Sequence, residues 1–387
     1  MKKTYLMTPG PTPVPPEALL SMAKPIIHHR TPEFMEIFKE VSADLKYVFQ
    51  TQGDILMFTS SGTGAMEAAV ANLLSPDDKA IVVQGGKFGE RWTEICQAYG
   101  INAITIDVEW GKAVDPKVIE AKLKEDGDIQ AVFTTLCETS TGVQADIKAI
   151  AEMMKKYKAV LVVDAISGLG AVDIKTDEWG VDCVVAGSQK GLMIPPGLAF
   201  VSFSKKAWEK VEKSKCPKYY FDFKATKKAL DKTDTPFTPA ITLVIALRET
   251  LRMMKAEGLD VIFARHKKLA LATREAMEAM GLELFAPTAP SDCVTAVKVP
   301  AGIDGEKLVK LMRDKYGVSI AGGQAELKGK VFRIAHMGFI TETDILTTIS
   351  VLGMALAEVG YRGEPGVGIE AAQEILLEGR DRAPVEP

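Results

Sequence analysis

The sequence contains few of the side chains that build metal centres or disulfide frameworks. Its five cysteines are far apart, with no Cys-x-x-Cys pair, and its four histidines include no His-x-x-x-His pair. This spacing excludes a zinc knuckle, the helical motif of zinc hydrolases and a regular disulfide framework. We therefore expect no metal site, and thiols that stay reduced, as they do in the cytoplasm.

Excess basic charge and long apolar segments are also missing. Lysine and arginine together number 47 against 51 aspartate and glutamate residues, which gives a formal net charge of -4. Nucleic-acid binding normally needs a basic surface, so no nucleic-acid partner is expected. No apolar run approaches the ~20 residues that span a bilayer, and the prolines from Pro9 onward leave no room for a signal-peptide core. We expect no membrane partner and a cytoplasmic location.

Short apolar runs alternate with amphipathic helical segments between residues 54 and 203. Near-continuous apolar strands that alternate with helices predict an α/β fold, with a largely parallel sheet covered on both faces. Ligands of such sheets bind at the carboxyl ends of the strands, so functional residues should follow the strands directly. The predicted strands are 55–59, 80–83, 103–106, 131–135, 159–163, 183–186 and 198–201.

We divide the chain into an N-terminal arm (1–16), a large domain (17–257), a small α/β domain (258–360) and a peripheral tail (361–387). The proline-rich arm should be extended, lying over a groove or a neighbouring subunit, or serving as a simple surface lead-in. Residues 205–238 are polar, aromatic and lysine-rich, and are expected to form a connection. Long helices are predicted at about 241–256 and 259–280. Residues 282–360 are then predicted to run strand, strand, helix, strand, strand, helix, and the tail to hold one short helix around 370–377.

A glycine-rich turn, Ser60-Ser61-Gly62-Thr63-Gly64-Ala65, lies between a predicted strand and a predicted helix. Such a turn exposes backbone N–H groups at a helix start, where they can bind a phosphate; the alternative is a purely structural turn. A Walker loop would need lysine where Ala65 stands, and a dinucleotide fingerprint would need glycine at Glu67. Both of those nucleotide motifs are therefore excluded.

Three charged residues follow or interrupt apolar strands. Asp164 can pair with the charged nitrogen of a pyridine ring, or else be a helix cap or an ion-pair partner. Lys190, in Gly187-Ser188-Gln189-Lys190, is placed for Schiff-base formation, although most lysines are simply exposed. Arg333, in Lys330-Val331-Phe332-Arg333, can bind a substrate carboxylate or an internal acid. The order of the glycine turn, Asp164 and Lys190 favours a pyridoxal-phosphate site.

These motifs carry a resemblance. From Thr8-Pro9-Gly10-Pro11-Thr12 to about Gly360, the chain resembles the class V aminotransferases of fold type I, most closely the alanine–glyoxylate and serine–pyruvate branch. The resemblance implies a large domain with a mostly parallel seven-stranded sheet between helices, and a small C-terminal α/β domain. The motifs are Ser61-Gly62-Thr63-Gly64-Ala65-Met66-Glu67-Ala68, Glu138-Thr139-Ser140-Thr141-Gly142-Val143, Val163-Asp164, Gly187-Ser188-Gln189-Lys190 and Arg333.

The resemblance implies a role for each matching residue. Lys190 would hold pyridoxal 5'-phosphate as a Schiff base and move the substrate's α-proton, while Asp164 would pair with the pyridine nitrogen. Phe88 would stack on the ring, and Thr139 would lie near the ring hydroxyl. The phosphate would be bound by Ser61, Gly62, Thr63 and Gln189.

The resemblance also implies a homodimer with shared active sites, in which Thr238 reaches the partner's phosphate. A tyrosine of the family has no match here, because Thr235 stands at that point, and this puts part of the contact between subunits in doubt. Arg333 would bind the substrate carboxylate, and the backbone near Gly10 would complete that pocket.

The implied reaction is transamination between alanine or serine and glyoxylate or pyruvate, with aspartate or phosphonate donors left open. One arginine without an obvious second basic residue favours small, neutral donors. Two alternatives are a cysteine desulfurase or related lyase, and a non-catalytic binding protein of the same fold. Gln189 and Phe88 stand where desulfurases usually have histidines. A non-catalytic relative would be expected to lose Lys190.

Overall fold

The computed structural model describes residues 3–364 and 366–378. Its strands are β1 (Tyr5–Leu6), β2 (Ile55–Phe58), β3 (Lys79–Gln84), β4 (Asn102–Asp107), β5 (Ile129–Thr135), β6 (Cys137–Glu138), β7 (Val143–Gln144), β8 (Val160–Asp164), β9 (Cys183–Gly187), β10 (Ala199–Phe203), β11 (Val294–Lys298), β12 (Val318–Ser319), β13 (Ala321–Gly322) and β14 (Val331–Ala335).

Its α-helices are α1 (Pro16–Met22), α2 (Pro32–Phe49), α3 (Gly62–Leu73), α4 (Lys87–Ala98), α5 (Pro116–Glu125), α6 (Ile147–Met154), α7 (Thr176–Trp179), α8 (Lys205–Lys213), α9 (Phe223–Leu230), α10 (Ile241–Glu257), α11 (Leu259–Ala279), α12 (Gly305–Leu311), α13 (Glu342–Glu358) and α14 (Val367–Leu377).

The largest sheet has seven strands in the order β2-β10-β9-β8-β5-β3-β4. Its neighbours are parallel except at β10, which is antiparallel to both β2 and β9. The predicted mostly parallel, seven-stranded sheet is therefore confirmed. The carboxyl ends of β2, β3, β5, β8 and β9 lie along one edge of this sheet, because these strands run in the same direction.

Both faces of this sheet are covered, and strand β8 shows how. All five of its residues are buried, and the first four, which are apolar, alternate between two hydrophobic clusters. Leu161 and Val163 join the cluster that includes residues of α2 and α10. Val160 and Val162 join the cluster on the α3 side. Successive side chains of a strand point to opposite faces, so a wholly apolar strand is the pattern of a doubly covered sheet.

A second, three-stranded sheet lies in the C-terminal part, in the order β11-β14-β13, and is antiparallel. Only one strand precedes its first helix, α12, since Leu284 makes just an isolated bridge to Val297. The order predicted for residues 282–360 is thus wrong at two points: one strand instead of two precedes α12, and three strands (β12, β13 and β14) instead of two lie between α12 and α13. The arm contributes β1, which pairs in parallel with β12. The proposed domain boundaries stay a prediction.

Two other expectations need correction. The segment 205–238, expected to be a connection, contains helices α8 and α9, which begin at the capping side chains of Ser204 and Asp222. The short helix predicted around 370–377 is confirmed as α14, but it is not peripheral, because it packs against α11 and α13. Gly368 and buried Ala372 have little or no side chain, so α14 can approach α11 closely. Residues 379–387 of the tail lie outside the described residues.

Within residues 3–364 and 366–378, no helix has both the length and the apolar character needed to cross a membrane. The same part of the chain contains no group of three or more His, Cys, Asp or Glu side chains arranged to hold a metal ion. All five cysteines are buried as free thiols.

Candidate active site

One cavity opens at the edge of the large sheet where the parallel strands end. Asp164 is the last residue of β8, Lys190 follows β9 by three residues, and Phe88 follows β3. The cavity is lined by Gly10, Pro11, Ser61, Gly62, Thr63, Phe88, Arg91, Cys137, Thr139, Asp164, Ile166, Ser167, Gln189, Lys190 and Pro196. Nine of the predicted site residues thus come together, although they are spread over 180 positions of the sequence.

The start of helix α3 forms one end of the cavity. Its N-cap, Ser61, makes no side-chain capping bond, so the first N–H groups of the helix keep their capacity to bind an anion. A Cβ atom on Gly62 would lie 2.7 Å from the Ile166 side chain, which explains glycine at this position. This end of the cavity suits a phosphate.

Asp164 is 3% exposed, and few hydrogen bonds or cations stabilise its charge. Among the described residues, one hydrogen bond reaches its carboxylate, from the Ile166 N–H to Oδ1 at 2.8 Å. Burial raises the pKa of Asp164 to about 7, and the neighbouring Arg91 and Lys190 only partly offset this effect. A cationic ring nitrogen in the cavity would stabilise the carboxylate, as the cofactor named by the resemblance requires.

Lys190 is held by the N-terminal arm. Its Nζ donates to the carbonyl of Pro9, and its own carbonyl accepts from Thr12 Oγ1 at 2.9 Å. A Cβ on Gly10 would overlap the lysine side chain, lying 2.6 Å from Cδ and nearer to Cε and Nζ. Burial lowers the pKa of Lys190 to about 8, so about a tenth of the amine is neutral and nucleophilic at pH 7, far more than for an exposed lysine.

Arg333 is 4% exposed on β14 and lies behind the cavity wall. Its Nε and Nη2 donate to Gly322 O at 3.1 and 2.7 Å, and Nη1 donates to Thr139 O at 2.9 Å. Burial lowers its pKa to about 10, which leaves it charged at neutral pH. These bonds use three of the five guanidinium N–H groups, so one on each terminal nitrogen is left for a planar carboxylate.

The remaining predicted residues fall into two groups. Thr139 Oγ1 lies 2.5 Å from Ser167 Oγ, and the side-chain carbonyl of Gln189 is buried without a hydrogen-bond partner among the described residues. Both line the cavity and can still bond to a ligand. Thr238 does not line it; it borders a separate pocket with Thr59 and Tyr220. Its predicted role concerns a partner's site and stays a prediction.

Three residues were missed by the sequence reasoning. Arg91 lies with its guanidinium 4.9 Å from the centre of the Phe88 ring and donates to Thr63 Oγ1 at 3.4 Å. Arg91 follows Phe88 by three residues in helix α4, and residues three apart lie next to each other on a helix, so this spacing could have indicated the contact. Ser167 lies in the wall three residues after Asp164. Glu138, directly before Thr139, is a buried carboxylate that accepts hydrogen bonds from the start of helix α4.

Comparison with known proteins agrees with this geometry. The sequence profile of the family "Aminotransferase class-V" matches residues 4–339. A relative from Anabaena cylindrica, named as the 42 kDa subunit of a soluble hydrogenase, is 47% identical over 97% of this chain and 99% of its own. L-aspartate–glyoxylate aminotransferase from Paracoccus denitrificans is 38% identical over 95% of each chain.

Serine–glyoxylate aminotransferase from Hyphomicrobium methylovorum is also 38% identical, over 96% of this chain and 94% of its own. The crystal structure of ureidoglycine–glyoxylate aminotransferase from Bacillus subtilis has a TM-score of 0.93 and 30% identity, covering 97% of this chain and 98% of that one. The family match extends from the arm through the large sheet to the strand that carries Arg333. This chain therefore belongs to the class-V aminotransferases, enzymes of fold type I that transfer amino groups with pyridoxal phosphate as cofactor.

Proposed function

We propose that this enzyme moves an amino group between a small neutral amino acid, alanine or serine, and a small 2-oxo acid, glyoxylate or pyruvate. Lys190 is the residue that holds the cofactor and transfers the α-proton. The observation that carries this assignment is the placement of the lysine. Its buried amine, with a pKa lowered to about 8, shares one cavity with a buried carboxylate and an anion-binding helix start.

Each residue has a role that follows from its position. Ser61, Gly62 and Thr63 bind the phosphate at the start of α3, and Gln189 adds its side-chain amide. Asp164 pairs with the ring nitrogen, which relieves its own uncompensated burial. Phe88 covers one face of the ring, and Thr139 lies at the ring hydroxyl.

Bound pyridoxal phosphate supplies an electron sink that stabilises negative charge at the substrate α-carbon. Arg333 and the backbone near Gly10 orient the substrate carboxylate. Lys190 Nζ, freed when the substrate amino group takes its place, would remove the proton from the substrate α-carbon and return it to the carbon on the other side of the substrate nitrogen, two bonds away. A neutral amine is the base that this step needs, and the lowered pKa provides it.

The charge distribution favours a small, neutral donor. Arg333 is fixed at the Thr139 side of the cavity, whereas Arg91 lies at Thr63, within the phosphate end. Arg91 is thus positioned for the cofactor rather than for a distant group of the substrate. The serine–glyoxylate relative supports the same donor and acceptor classes.

An aspartate donor is the second candidate. The Paracoccus relative is named for aspartate and glyoxylate. In this alternative Arg91, which lines the cavity, would bind the second carboxylate of aspartate instead of the cofactor phosphate. An assay that crosses alanine, serine and aspartate with glyoxylate and pyruvate separates the two. Turnover with aspartate alone would replace the first proposal by the second.

We also propose a cytoplasmic homodimer with shared sites. Thr238 lies outside the cavity of its own subunit, and nearby Tyr219 is 81% exposed and stacks near Phe237, with ring centres 5.7 Å apart. An exposed aromatic side chain next to Thr238 suits a contact with a second copy of the chain. Sedimentation of the holoenzyme as a monomer would contradict this part.

Borohydride reduction of the holoenzyme, digestion and peptide sequencing test the central assignment. The label should lie on Lys190. Lys210 is an internal control, because its pKa is also lowered by burial although it lies outside the cavity and donates to Gln130 at 2.5 Å. A label on another lysine, or none, would overturn the proposal. Sulfide released from cysteine would favour the desulfurase alternative, and cofactor binding without any turnover would favour a binding protein.

A further inference from the structure

The first turn of helix α4 is anchored from a distant part of the chain. Its N-cap, Gly86, provides no side-chain capping bond. The N–H of Gly89 instead donates to Glu138 Oε2 at 2.9 Å, and that of Phe88 donates to the same oxygen at 3.1 Å. The N–H of Lys87 donates to Ser140 Oγ at 3.1 Å. Three N–H groups that a helix start leaves unsatisfied are therefore bound by the turn at residues 138–140.

The Glu138 carboxylate is itself fixed. It is 5% exposed, and Oε1 accepts from the N–H and the hydroxyl of Ser140 at 3.2 and 2.5 Å. A Cβ on Gly86 would lie 2.5 Å from Glu138 Cδ, so the side chain packs directly on the backbone before the helix. Burial raises the pKa of Glu138, and the hydrogen bonds that the carboxylate accepts, together with the positive end of the helix dipole, oppose this shift.

Two cofactor-facing groups depend on this turn of the helix. Phe88 lies in the anchored turn, and Arg91 follows one turn later with its guanidinium over the Phe88 ring. The plane of an aromatic ring is set by its backbone and its neighbours, and stacking energy depends on that plane. Movement of the first turn would tilt the ring that covers the cofactor.

We propose that Glu138 is a positioning residue, whose buried carboxylate fixes the first turn of α4 and thereby the orientation of the Phe88 ring, which would cover the cofactor. The inference rests on the proposed function, because it takes the cofactor to lie against Phe88. Glu138 itself is not among the residues that line the cavity.

A double-mutant cycle tests this inference in the full-length protein. The binding of pyridoxamine 5'-phosphate, which forms no bond with lysine, is measured by calorimetry for wild type, Glu138→Gln, Phe88→Ala and the double variant. Glutamine keeps the size of the side chain but replaces one acceptor oxygen by a donor. We expect Glu138→Gln to weaken binding by about tenfold, the value of one well-placed aromatic contact. The loss should be smaller when Phe88 is already alanine.

Unchanged binding in Glu138→Gln, or an equal loss in both backgrounds, would overturn the inference. Hydrogen exchange of the apoenzyme gives a second readout, since the amides of residues 87–89 should exchange faster in the variant. Ser140→Ala is a milder substitution that removes the Lys87 bond and serves if Glu138→Gln does not fold. Failure of wild type to bind would overturn the proposed function, whereas unchanged amide exchange would overturn the anchor itself.

Discussion

Replacement of Gly10 by alanine tests how closely the arm defines the position of Lys190. The new Cβ would lie 2.6 Å from Lys190 Cδ and nearer to the rest of the side chain. Carbon atoms are in favourable contact at about 3.5–4.0 Å, so the lysine must shift by about 1 Å. Such a misplacement of a reacting group can lower the rate by about 100-fold, or about 2.7 kcal/mol of activation free energy.

The same substitution also strains the backbone, because Gly10 has a φ of +133°. That strain costs on the order of 1–3 kcal/mol of folding stability. Gly258→Ala is the matched control, since Gly258 has a φ of +87° and a Cβ there would meet nothing within 4 Å. Both variants should unfold at a lower temperature, but only Gly10→Ala should lose turnover.

Steady-state kinetics with serine and glyoxylate, together with calorimetric unfolding, measure the two effects separately. A Gly10→Ala enzyme with wild-type kcat would refute the reasoning, because the lysine would then reach its substrate from a displaced position. An equal loss of kcat in Gly258→Ala would assign the effect to general destabilisation instead.

Two further predictions concern titration and substrate binding. Because burial lowers the pKa of Lys190 from 10.5 to about 8, the neutral amine forms at a lower pH than in an exposed lysine. The rate at which the apoenzyme captures pyridoxal phosphate should therefore increase as the pH rises to about 8 and then level off. A rate that still increases at pH 10 would contradict this prediction. Arg333→Ala should raise KM for the amino acid by about 10- to 100-fold, which corresponds to the loss of a charge-assisted hydrogen bond. The KM of Arg333→Lys should lie between those of wild type and Arg333→Ala. Exposed Arg252, paired with Glu40, gives the matched alanine control, and an unchanged KM in Arg333→Ala would contradict the carboxylate role.

The sequence was sufficient to predict the sheet and most of the cavity. Apolar runs that end in Asp164, or shortly before Lys190 and Ser61, identify parallel strands, and parallel strands bring their carboxyl ends together. That local rule needs no knowledge of how distant segments pack.

What escaped prediction depends on contacts between distant segments. Glu138 lies about 50 positions from the amides whose hydrogen bonds it accepts. The residues next to it in the sequence give no sign that it binds the start of a distant helix. The packing of α14 on α11 depends on the small residues Gly368 and Ala372. Small residues are also typical of loose tails, so the sequence alone did not indicate this packing. Arg333 was assigned to a substrate, but its bonds to two backbone carbonyls could be found only in three dimensions.

The arm has a practical consequence for anyone who handles this enzyme. Within about ten residues it joins β12 through β1, then binds the backbone of Gln189 and Lys190 through Thr12. Leader sequences, purification tags or trimmed variants that disturb residues 5–12 would loosen the connection between β12 and the reactive amine. Preparations made that way should fold and yet work slowly, a fault easily mistaken for poor cofactor loading.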